Sequence, residues 1–380
     1  MCLEFDHKRS LPWPKEWYLW GCMSTRKKVA ILYGGRSVEH GVSVNSAKNI
    51  FEFIDRTKFE PIAIGLSTTG KWHLKSTVDK EITTGSELTI STNPDQPGFF
   101  CEGTWIKPDM VFPVLHGTDG EDGSVQGLLT ALQIPFVGSG VLGSAVSMNK
   151  VIAKQILEAN GIPVVPFVAY RKDQRNTLRF QNFHEKFGVP FMVKSASLGS
   201  SVGVSKVRTE KEFEAALQDS FRYDDEVIIE KFIPGREIEC AILGNNPPEA
   251  SRPGEIVISK KYDFYNFDAK YVDAEAVEIK VPAELSEDVA HTIRELSVRA
   301  FQVLRCQDFA RVDLFLSEHG LFINEINTIP GFTNSSMYPM MWKERGVPFG
   351  DLITRLIELA EQRWHQQNQN NRDFQSSLNY

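Results

Sequence analysis

Four polar side chains in the C-terminal third of the chain have the residue types and spacing of a metal site. Arg311 and Asp313 are two residues apart, and so are Glu325 and Asn327. Residues two apart in a β-strand point to the same side, so each pair shares one face of its strand. Oxygen ligands alone suit Mg²⁺, which keeps waters or phosphates as its remaining partners. The pattern therefore indicates the metal-binding end of a nucleotide-dependent enzyme.

The segment between the two pairs sets the register of a predicted β-hairpin. Residues 318–320, Glu-His-Gly, form a three-residue loop with glycine at the position that needs a left-handed residue. This loop sets Asp313 opposite Glu325. It also sets Arg311 opposite Asn327. Acidic residues on strands more often simply face solvent. Here both strands are otherwise rich in Leu, Phe, Ile and Val, and charges in such runs need partners.

Lys150, Lys194 and Lys231 lie in separate segments where a phosphate could bind. Lys194 ends an apolar run and precedes a loop of small residues, 195–204, that offers backbone N–H groups and hydroxyls to a phosphate. A strand over residues 227–232 could grip the edge of an adenine ring. A solvated surface position is the ordinary explanation for any single lysine. The glycines beside Lys194 favour a phosphate site at that lysine.

The N-terminal third alternates strands and helices, which predicts a parallel sheet with helices on its faces. Glycine-rich loops at 34–41 and 116–123 follow two of these strands. Ligands collect at the carboxyl ends of parallel strands, so both loops are candidate binding loops. Neither has the Gly-x-Gly-x-x-Gly or Gly-x-x-x-x-Gly-Lys-Ser motif of common nucleotide-binding loops. Further along, Ser147 is expected to cap a helix from Met148 to Asn160.

Changes of composition and pattern divide the chain into five segments. An aromatic, proline-broken extension and a tail rich in Gln, Asn and Ser flank three structured units, and we expect Met23 to be the natural start. The segments are an unstructured extension (1–22), an α/β domain (23–146), a central domain (147–235), a C-terminal domain (236–365) and a frayed tail (366–380). The aromatic stretch 260–280 is expected to be an ordered lid loop.

Composition excludes several classes of protein. The chain has 380 residues, a net charge of −7 and no basic run, so we expect neither nucleic acid nor a membrane as a partner. No apolar stretch has the length of a membrane span. The five scattered cysteines contain no Cys-x-x-Cys pair. They indicate free thiols in a reducing compartment, and we expect a cytoplasmic protein.

From about Lys27 to about Glu361, the chain resembles the D-alanine–D-alanine ligases of the ATP-grasp superfamily. The segments that carry the resemblance are 34–40, 116–123, 148–150, 199–203, 230–231, 270–271, 311–313, 324–327, 330–333 and 336–337. All occur in order and at compatible spacings, which makes the resemblance specific. It implies an ATP-grasp fold of mixed α/β and α+β class with three domains, in which ATP is held between the central and C-terminal domains.

The resemblance also implies a reaction. The carboxylate of one D-alanine attacks the γ-phosphate of ATP, and the amine of a second D-alanine attacks the resulting acyl phosphate. The dipeptide serves peptidoglycan synthesis. Two Mg²⁺ (or Mn²⁺) ions and lysines offset the repulsion between carboxylate and triphosphate. The acyl phosphate must be kept from water, a role that would suit the lid loop 260–280.

Roles for individual residues follow from the resemblance. Glu39 would bind the first ammonium group, and it would hydrogen-bond with Ser200 and Tyr271. Arg311 and the N–H of Gly331 would stabilise the tetrahedral intermediate. The residues expected at the two D-alanine sites are Glu39, His116, Ser336 and Met337. The residues expected to bind ATP are Lys150, Lys194, Glu230, Lys231, Phe232, Glu237, Phe264 and Lys270. The expected metal ligands are Asp313, Glu325 and Asn327.

Alternatives remain for the second substrate and for the class of protein. Ligases that join D-alanine to D-lactate lack the lid tyrosine and often carry a basic residue after the final serine. Tyr271 and Met337 therefore favour D-alanine over D-lactate or D-serine. Another ATP-grasp carboxylate–amine ligase, or a non-catalytic nucleotide-binding protein on the same fold, are further alternatives. The complete set of metal ligands and Arg311 argues against the non-catalytic protein. The resemblance implies a homodimer.

Overall fold

The computed structural model describes residues 26–199, 202–259 and 277–371, and within these ranges the strands form three sheets. The strands are β1 (Lys27–Gly34), β2 (Phe59–Leu66), β3 (Trp72–Lys75), β4 (Ser86–Ser91), β5 (Gly98–Cys101), β6 (Thr104–Ile106), β7 (Met110–Pro113), β8 (Phe167–Arg171), β9 (Phe191–Ser195), β10 (Val204–Val207), β11 (Glu226–Lys231), β12 (Arg236–Leu243), β13 (Glu249–Ala250), β14 (Gly254–Ile258), β15 (Val277–Lys280), β16 (Phe309–Ser317) and β17 (Gly320–Asn327). The helices are α1 (His40–Phe53), α2 (Ser124–Ala131), α3 (Val141–Met148), α4 (Lys150–Ala159), α5 (Phe180–Phe187), α6 (Glu210–Tyr223), α7 (Glu287–Val303), α8 (Met337–Glu344) and α9 (Phe349–Gln367).

The first sheet has the strand order β6-β5-β4-β3-β2-β1-β7. Strand β1, between β2 and β7, contains an apolar run from Val29 to Tyr33 that is wholly buried, as expected of a strand covered on both faces. The predicted parallel arrangement holds for β2, β1 and β7. The strands β3 to β6 extend the sheet in antiparallel fashion. The predicted all-parallel sheet is therefore mixed, because a turn and not a crossover helix connects β2 to β3.

The second sheet is antiparallel in the order β10-β9-β11-β8, with α5 and α6 packed on one face. A cluster of aromatic side chains that includes Phe183, Phe191 and Phe213 fills the space between them. The helix α6 begins at a capping box in which Thr209 and Glu212 satisfy one another's backbone N–H groups. These features hold β9, the strand that contains Lys194, in a fixed position.

The third sheet runs β15-β14-β12-β16-β17, with β13 beside β12, and α7 covers one of its faces. The hairpin of β16 and β17 has the predicted pairs, Arg311 with Asn327 and Asp313 with Glu325. The predicted three-residue turn is wrong. Ser317 pairs with Gly320, so the turn has two residues, and an irregularity after Asp313 restores the register at the site.

Two further expectations differ from the structure in detail. Ser147 lies within α3, and the cap of the next helix is Asn149, whose side chain accepts from the N–H of Ile152. The last four residues of the predicted lid loop form β15, which pairs with β14.

The rest of that loop, 260–276, the extension 1–22 and residues 372–380 lie outside the described residues. The helix α9 continues to Gln367, two residues into the predicted tail. None of the helices in the described part of the chain combines the length and the apolar character needed to span a bilayer.

Candidate active site

A cleft with a volume of about 200 Å³ lies between the second and third sheets. Strands β9 and β11 form one wall, and β12, β14, β16 and β17 form the other. Apolar side chains such as Val165, Met192 and Ile256 line it together with charged ones. The predicted residues that line this cleft are Lys150, Lys194, Glu230, Lys231, Phe232, Glu237, Asp313 and Glu325. The structure thus brings together residues that lie far apart in the sequence.

A buried group of charges lies in the wall of the cleft. Glu230 is 1% exposed, and its carboxylate lies 2.6 Å from Nζ of Lys194 and 2.9 Å from Nζ of Lys154. Burial opposes the charge on Glu230, but the two lysines outweigh it and lower the pKa of this carboxyl. Burial also opposes the charge on Lys194, but Glu230 raises the pKa of this lysine. The two lysines therefore keep Glu230 ionised.

Lys154 belongs to this group of charges and was not among the predicted site residues. It lies one helical turn after Lys150, on the same face of α4, and its side chain is 1% exposed. Burial lowers the pKa of Lys154. The spacing of four residues between two lysines that open an amphipathic helix was the available signal.

Lys150 connects the cleft to the loop of small residues. It is the first residue of α4, and its Nζ donates to the carbonyl oxygen of Leu198 at 2.6 Å. The same nitrogen lies 3.3 Å from Oε2 of Glu325. On β10 of the second sheet, the ammonium group of Lys206 lies 4.0 Å from the ring centroid of Phe232, a residue that lines the cleft.

A row of carboxylates crosses three neighbouring strands of the third sheet. Glu239 on β12 pairs with Asp313 on β16, and Asp313 pairs with Glu325 on β17. Arg311 offsets their repulsion: its Nε lies 2.9 Å from Glu239, and its guanidinium donates to both oxygens of Asp313 at 2.7 Å. Glu239 was not among the predicted site residues. Its position two residues after Glu237, on the same strand face, was the available signal.

The expected metal ligands are adjacent, and their oxygen donors fit a hard divalent cation. Asn327 donates its side-chain N–H to Asp313 at 3.0 Å, and Glu325 lies on the neighbouring strand opposite Asp313. Across the described ranges, no group of three or more His, Cys, Asp or Glu side chains is arranged to hold a metal. The predicted set instead has two carboxylates and one amide.

Loops from the first and second sheets meet at Glu39, which precedes α1 and is 7% exposed. A Cβ atom on Gly117 would lie 2.5 Å from Oε2 of Glu39, and one on Gly199 would lie 2.6 Å from the same atom. Real Cβ contacts are never this short, so both positions require glycine if Glu39 is to stay in place. The structure thus places Glu39 directly beside the loop that contains position 200.

His116 and Glu121 lie in the buried loop that follows β7. His116 Nδ1 lies 2.8 Å from the carbonyl oxygen of Ile329, and Nε2 lies 3.1 Å from Oγ of Ser46. Burial lowers the pKa of His116. Glu121 accepts from the N–H of Gly117 at 2.8 Å and from the N–H of Ile329 at 3.0 Å. Burial and then the charge of Glu39 raise the pKa of Glu121 to about 8.

The segment after β17 forms a turn that leads into α8. Ser336 precedes this helix, and its hydroxyl accepts from the N–H of Thr333 at 3.1 Å. Gly331 lies beside it, because a Cβ on this glycine would lie 3.2 Å from Oγ of Ser336. Met337 is the first helical residue, and its side chain is buried in the main core. The backbone N–H groups at this helix end can therefore receive an anion.

Four predicted site residues lie outside the described residues: Ser200, Phe264, Lys270 and Tyr271. Their proposed roles stay predictions. Most of the remaining predicted residues gather in the cleft and in the loops around Glu39, and Gly331, Ser336 and Met337 lie at the turn before α8. A small cavity lies between the cleft and the loops around Glu39. Its lining includes Glu121, Lys150, Gly199, Glu325 and Asn327.

Two family models match this chain. The model described as D-ala D-ala ligase N-terminus matches residues 28–139, and the model described as D-ala D-ala ligase C-terminus matches residues 156–358. The D-alanine–D-alanine ligase of Shouchella clausii is 44% identical over 353 residues, which are 89% of this chain and 95% of that protein.

Solved structures agree with this match. The D-alanine–D-alanine ligase of Coxiella burnetii is 37% identical with a TM-score of 0.80, and the match covers 90% of this chain and 96% of that one. The VanG D-Ala:D-Ser ligase of Enterococcus faecalis is 35% identical with a TM-score of 0.80, and the match covers 88% and 99%. The two family models together match most of the chain, which therefore belongs to the D-alanine–D-alanine ligase family.

Proposed function

We propose that this protein ligates two D-alanines to D-alanyl-D-alanine, with hydrolysis of ATP to ADP and phosphate, for peptidoglycan precursor synthesis. The observation that carries the proposal is a small cavity between the cleft and the loops around Glu39, which shares Lys150, Gly199 and Glu325 with the lining of the cleft. A ligase of this kind must bring a carboxylate to the γ-phosphate of ATP. Lys150 lies in the lining of both places, where a cation offsets the repulsion between two anions.

The cleft is proposed to hold ATP. Lys150 and Lys194 would contact phosphates, and the apolar wall beside residues 230–233 would receive the adenine. Glu237, the second residue of β12, lies in the lining of the same cleft. Asp313, Glu325 and Asn327 would hold two Mg²⁺ ions (or Mn²⁺). When bound, the metal would screen the charge of the phosphate oxygens.

The proposed substrate sites lie on either side of Arg311. Glu39 would bind the ammonium group of the first D-alanine, as a buried carboxylate prefers a cationic partner. Arg311 and the N–H of Gly331 would donate to the oxygen that becomes negative when the amine attacks the acyl phosphate. Ser336 and the N–H of Met337 would bind the carboxylate of the second D-alanine, at the positive end of α8.

D-Alanine is the proposed second substrate. The choice between D-alanine and D-serine needs a test, because a structure of similar fold is that of a D-Ala:D-Ser ligase. The side chain of Met337 packs in the core, so its backbone N–H, and not its side chain, is available to the substrate. The proposal of D-alanine over D-serine therefore rests mainly on the names of the relatives that match over most of the chain.

Two finer features are also proposed. We propose a homodimer, from the family resemblance, and a cytoplasmic location, because the reaction consumes ATP. Size-exclusion chromatography with light scattering tests the dimer. A monomeric mass at micromolar concentration would contradict it.

The function is tested by measuring ATP-dependent phosphate release with single amino acids and identifying the product by mass. We expect release with D-alanine and Mg²⁺, and a D-alanyl-D-alanine product. L-alanine serves as the matched control, because it has the same groups in the opposite configuration. Phosphate release without a D-alanyl dipeptide would overturn the proposal.

A further inference from the structure

Backbone groups between β17 and α8 are held by side chains from a different part of the fold. Glu121 accepts from the N–H of Ile329, and His116 Nδ1 lies 2.8 Å from the carbonyl oxygen of the same residue. On α1, Oγ of Ser46 lies 3.2 Å from the N–H of Phe332. Ser46, His116 and Glu121 thus form a clamp on the segment 329–332, and this clamp is wholly buried.

The protons of the clamp have one consistent arrangement. The carbonyl oxygen of Ile329 only accepts, so His116 donates from Nδ1, and Nε2 of the neutral ring accepts. The lowered pKa of His116 agrees with a neutral ring. Ser46 therefore donates its hydroxyl proton to Nε2 while it accepts from the N–H of Phe332. Both ring nitrogens of His116 are engaged within the protein, which argues that its role is to position the segment rather than to bind substrate.

The clamp encloses the residue whose N–H is proposed to face the reacting carbon. Gly331 lies between the two residues whose peptide groups are held, so its own N–H direction is set by them. Donors to a developing oxyanion work only within a few tenths of an ångström of the right place. We propose that the clamp positions the N–H of Gly331 for formation of the peptide bond. This inference rests on the proposed function.

The inference makes a prediction about the two halves of the reaction. Phosphoryl transfer to the first D-alanine uses the cleft and Glu39, and none of the hydrogen bonds that form the clamp involves a cleft lysine or a metal ligand. Attack by the second amine needs Gly331. A weakened clamp should therefore slow dipeptide formation while acyl phosphate still forms.

Ser46→Ala is the sharpest variant, because it removes one hydroxyl and adds no atom to a buried site. We expect kcat for dipeptide formation to fall by about tenfold, because the N–H of Phe332 loses its acceptor and the N–H of Gly331 is held less well in place. Acyl phosphate trapped with hydroxylamine, and KM for ATP, should stay within about twofold of wild type.

Ser43→Ala is the matched control. Ser43 lies one turn earlier on α1, is also buried, and bonds to Gly34 and Val114 within the first sheet. This variant should lower stability without separating the two half-reactions. Equal loss of both half-reactions in Ser46→Ala, or wild-type kinetics, would overturn the clamp alone. A wild-type protein that forms no D-alanyl dipeptide would overturn the proposed function and, with it, the role of the clamp.

Discussion

Arg311 and Asp313 are bound to each other through both carboxylate oxygens, with Nε and Nη2 each 2.7 Å from their acceptors. They are two residues apart on β16 and share one strand face. In the proposed function, Arg311 stabilises the oxyanion at the reacting carbon, and Asp313 binds the metal. A single strand face therefore couples oxyanion stabilisation to metal binding, and a change in either residue acts on both.

Replacement of Arg311 by lysine tests this coupling. Lysine keeps the charge but loses the planar fork that contacts Glu239 and both oxygens of Asp313. We expect kcat to fall by about 100-fold, as for the loss of an oxyanion donor. Steady-state kinetics measures it. Arg355→Lys, in an exposed pair with Glu249, is the control and should keep wild-type rates. A value of kcat for Arg311→Lys within about threefold of wild type would contradict the role.

The buried charges in the cleft wall give a prediction about stability. Glu230→Gln leaves Lys154 and Lys194 buried without their shared carboxylate. We expect the free energy of unfolding to fall by about 3–5 kcal/mol. Lys154→Met leaves Glu230 paired with Lys194. It should cost about 1 kcal/mol or less and mainly raise KM for ATP. Urea denaturation measures both. Similar losses of stability in the two variants would show that Glu230 is not the shared partner of Lys154 and Lys194.

Gly199 tests the position of Glu39. A Cβ at Gly199 would lie 2.6 Å from Oε2 of Glu39, so Gly199→Ala must displace that carboxylate. We expect KM for the first D-alanine to rise by about tenfold or more, because displacing a binding group by about 1 Å can weaken binding by that factor. KM for ATP should change less. Gly41→Ala is the control, since no atom lies within 4 Å of its added Cβ. An unchanged KM for D-alanine in Gly199→Ala would argue against Glu39 as the ammonium ligand.

Glu121 gives a pH dependence of stability. Its pKa is raised from 4.5 to about 8, first by burial and then by Glu39, so the folded state holds this proton more tightly than the unfolded state. The stability from this group is complete below about pH 4.5 and is lost as pH rises through about 8. We expect the free energy of unfolding of wild type, relative to Glu121→Gln, to fall between pH 5 and 8. A constant difference across this range would mean that the carboxyl is already ionised at pH 5.

Much of the site was predictable because its residues lie on regular elements. Asp313 and Glu325 were paired correctly, since alternation along a strand leaves few choices. The turn was one residue shorter than predicted, and a compensating irregularity in β17 restored the pairing. Such irregularities depend on tertiary packing and leave little local signal.

The residues that escaped prediction act through contacts distant in sequence. Lys154 contacts Glu230, which lies 76 residues away in the sequence, and Glu121 contacts Ile329, which lies 208 residues away. No sequence pattern predicts either contact. The cap at Asn149, one place before Lys150, was missed because Ser147 is an equally good capping residue type. The domain boundaries at 146 and 235 stay predictions.

The most direct test of the proposed function is a competition among second substrates. Wild-type protein would be incubated with ATP, Mg²⁺, equal amounts of D-alanine and D-serine, and a tenfold excess of D-lactate at neutral pH. The products would then be identified by mass. We predict that D-alanyl-D-alanine dominates. A majority of D-alanyl-D-serine or of D-alanyl-D-lactate would contradict the assignment of D-alanine to the second site.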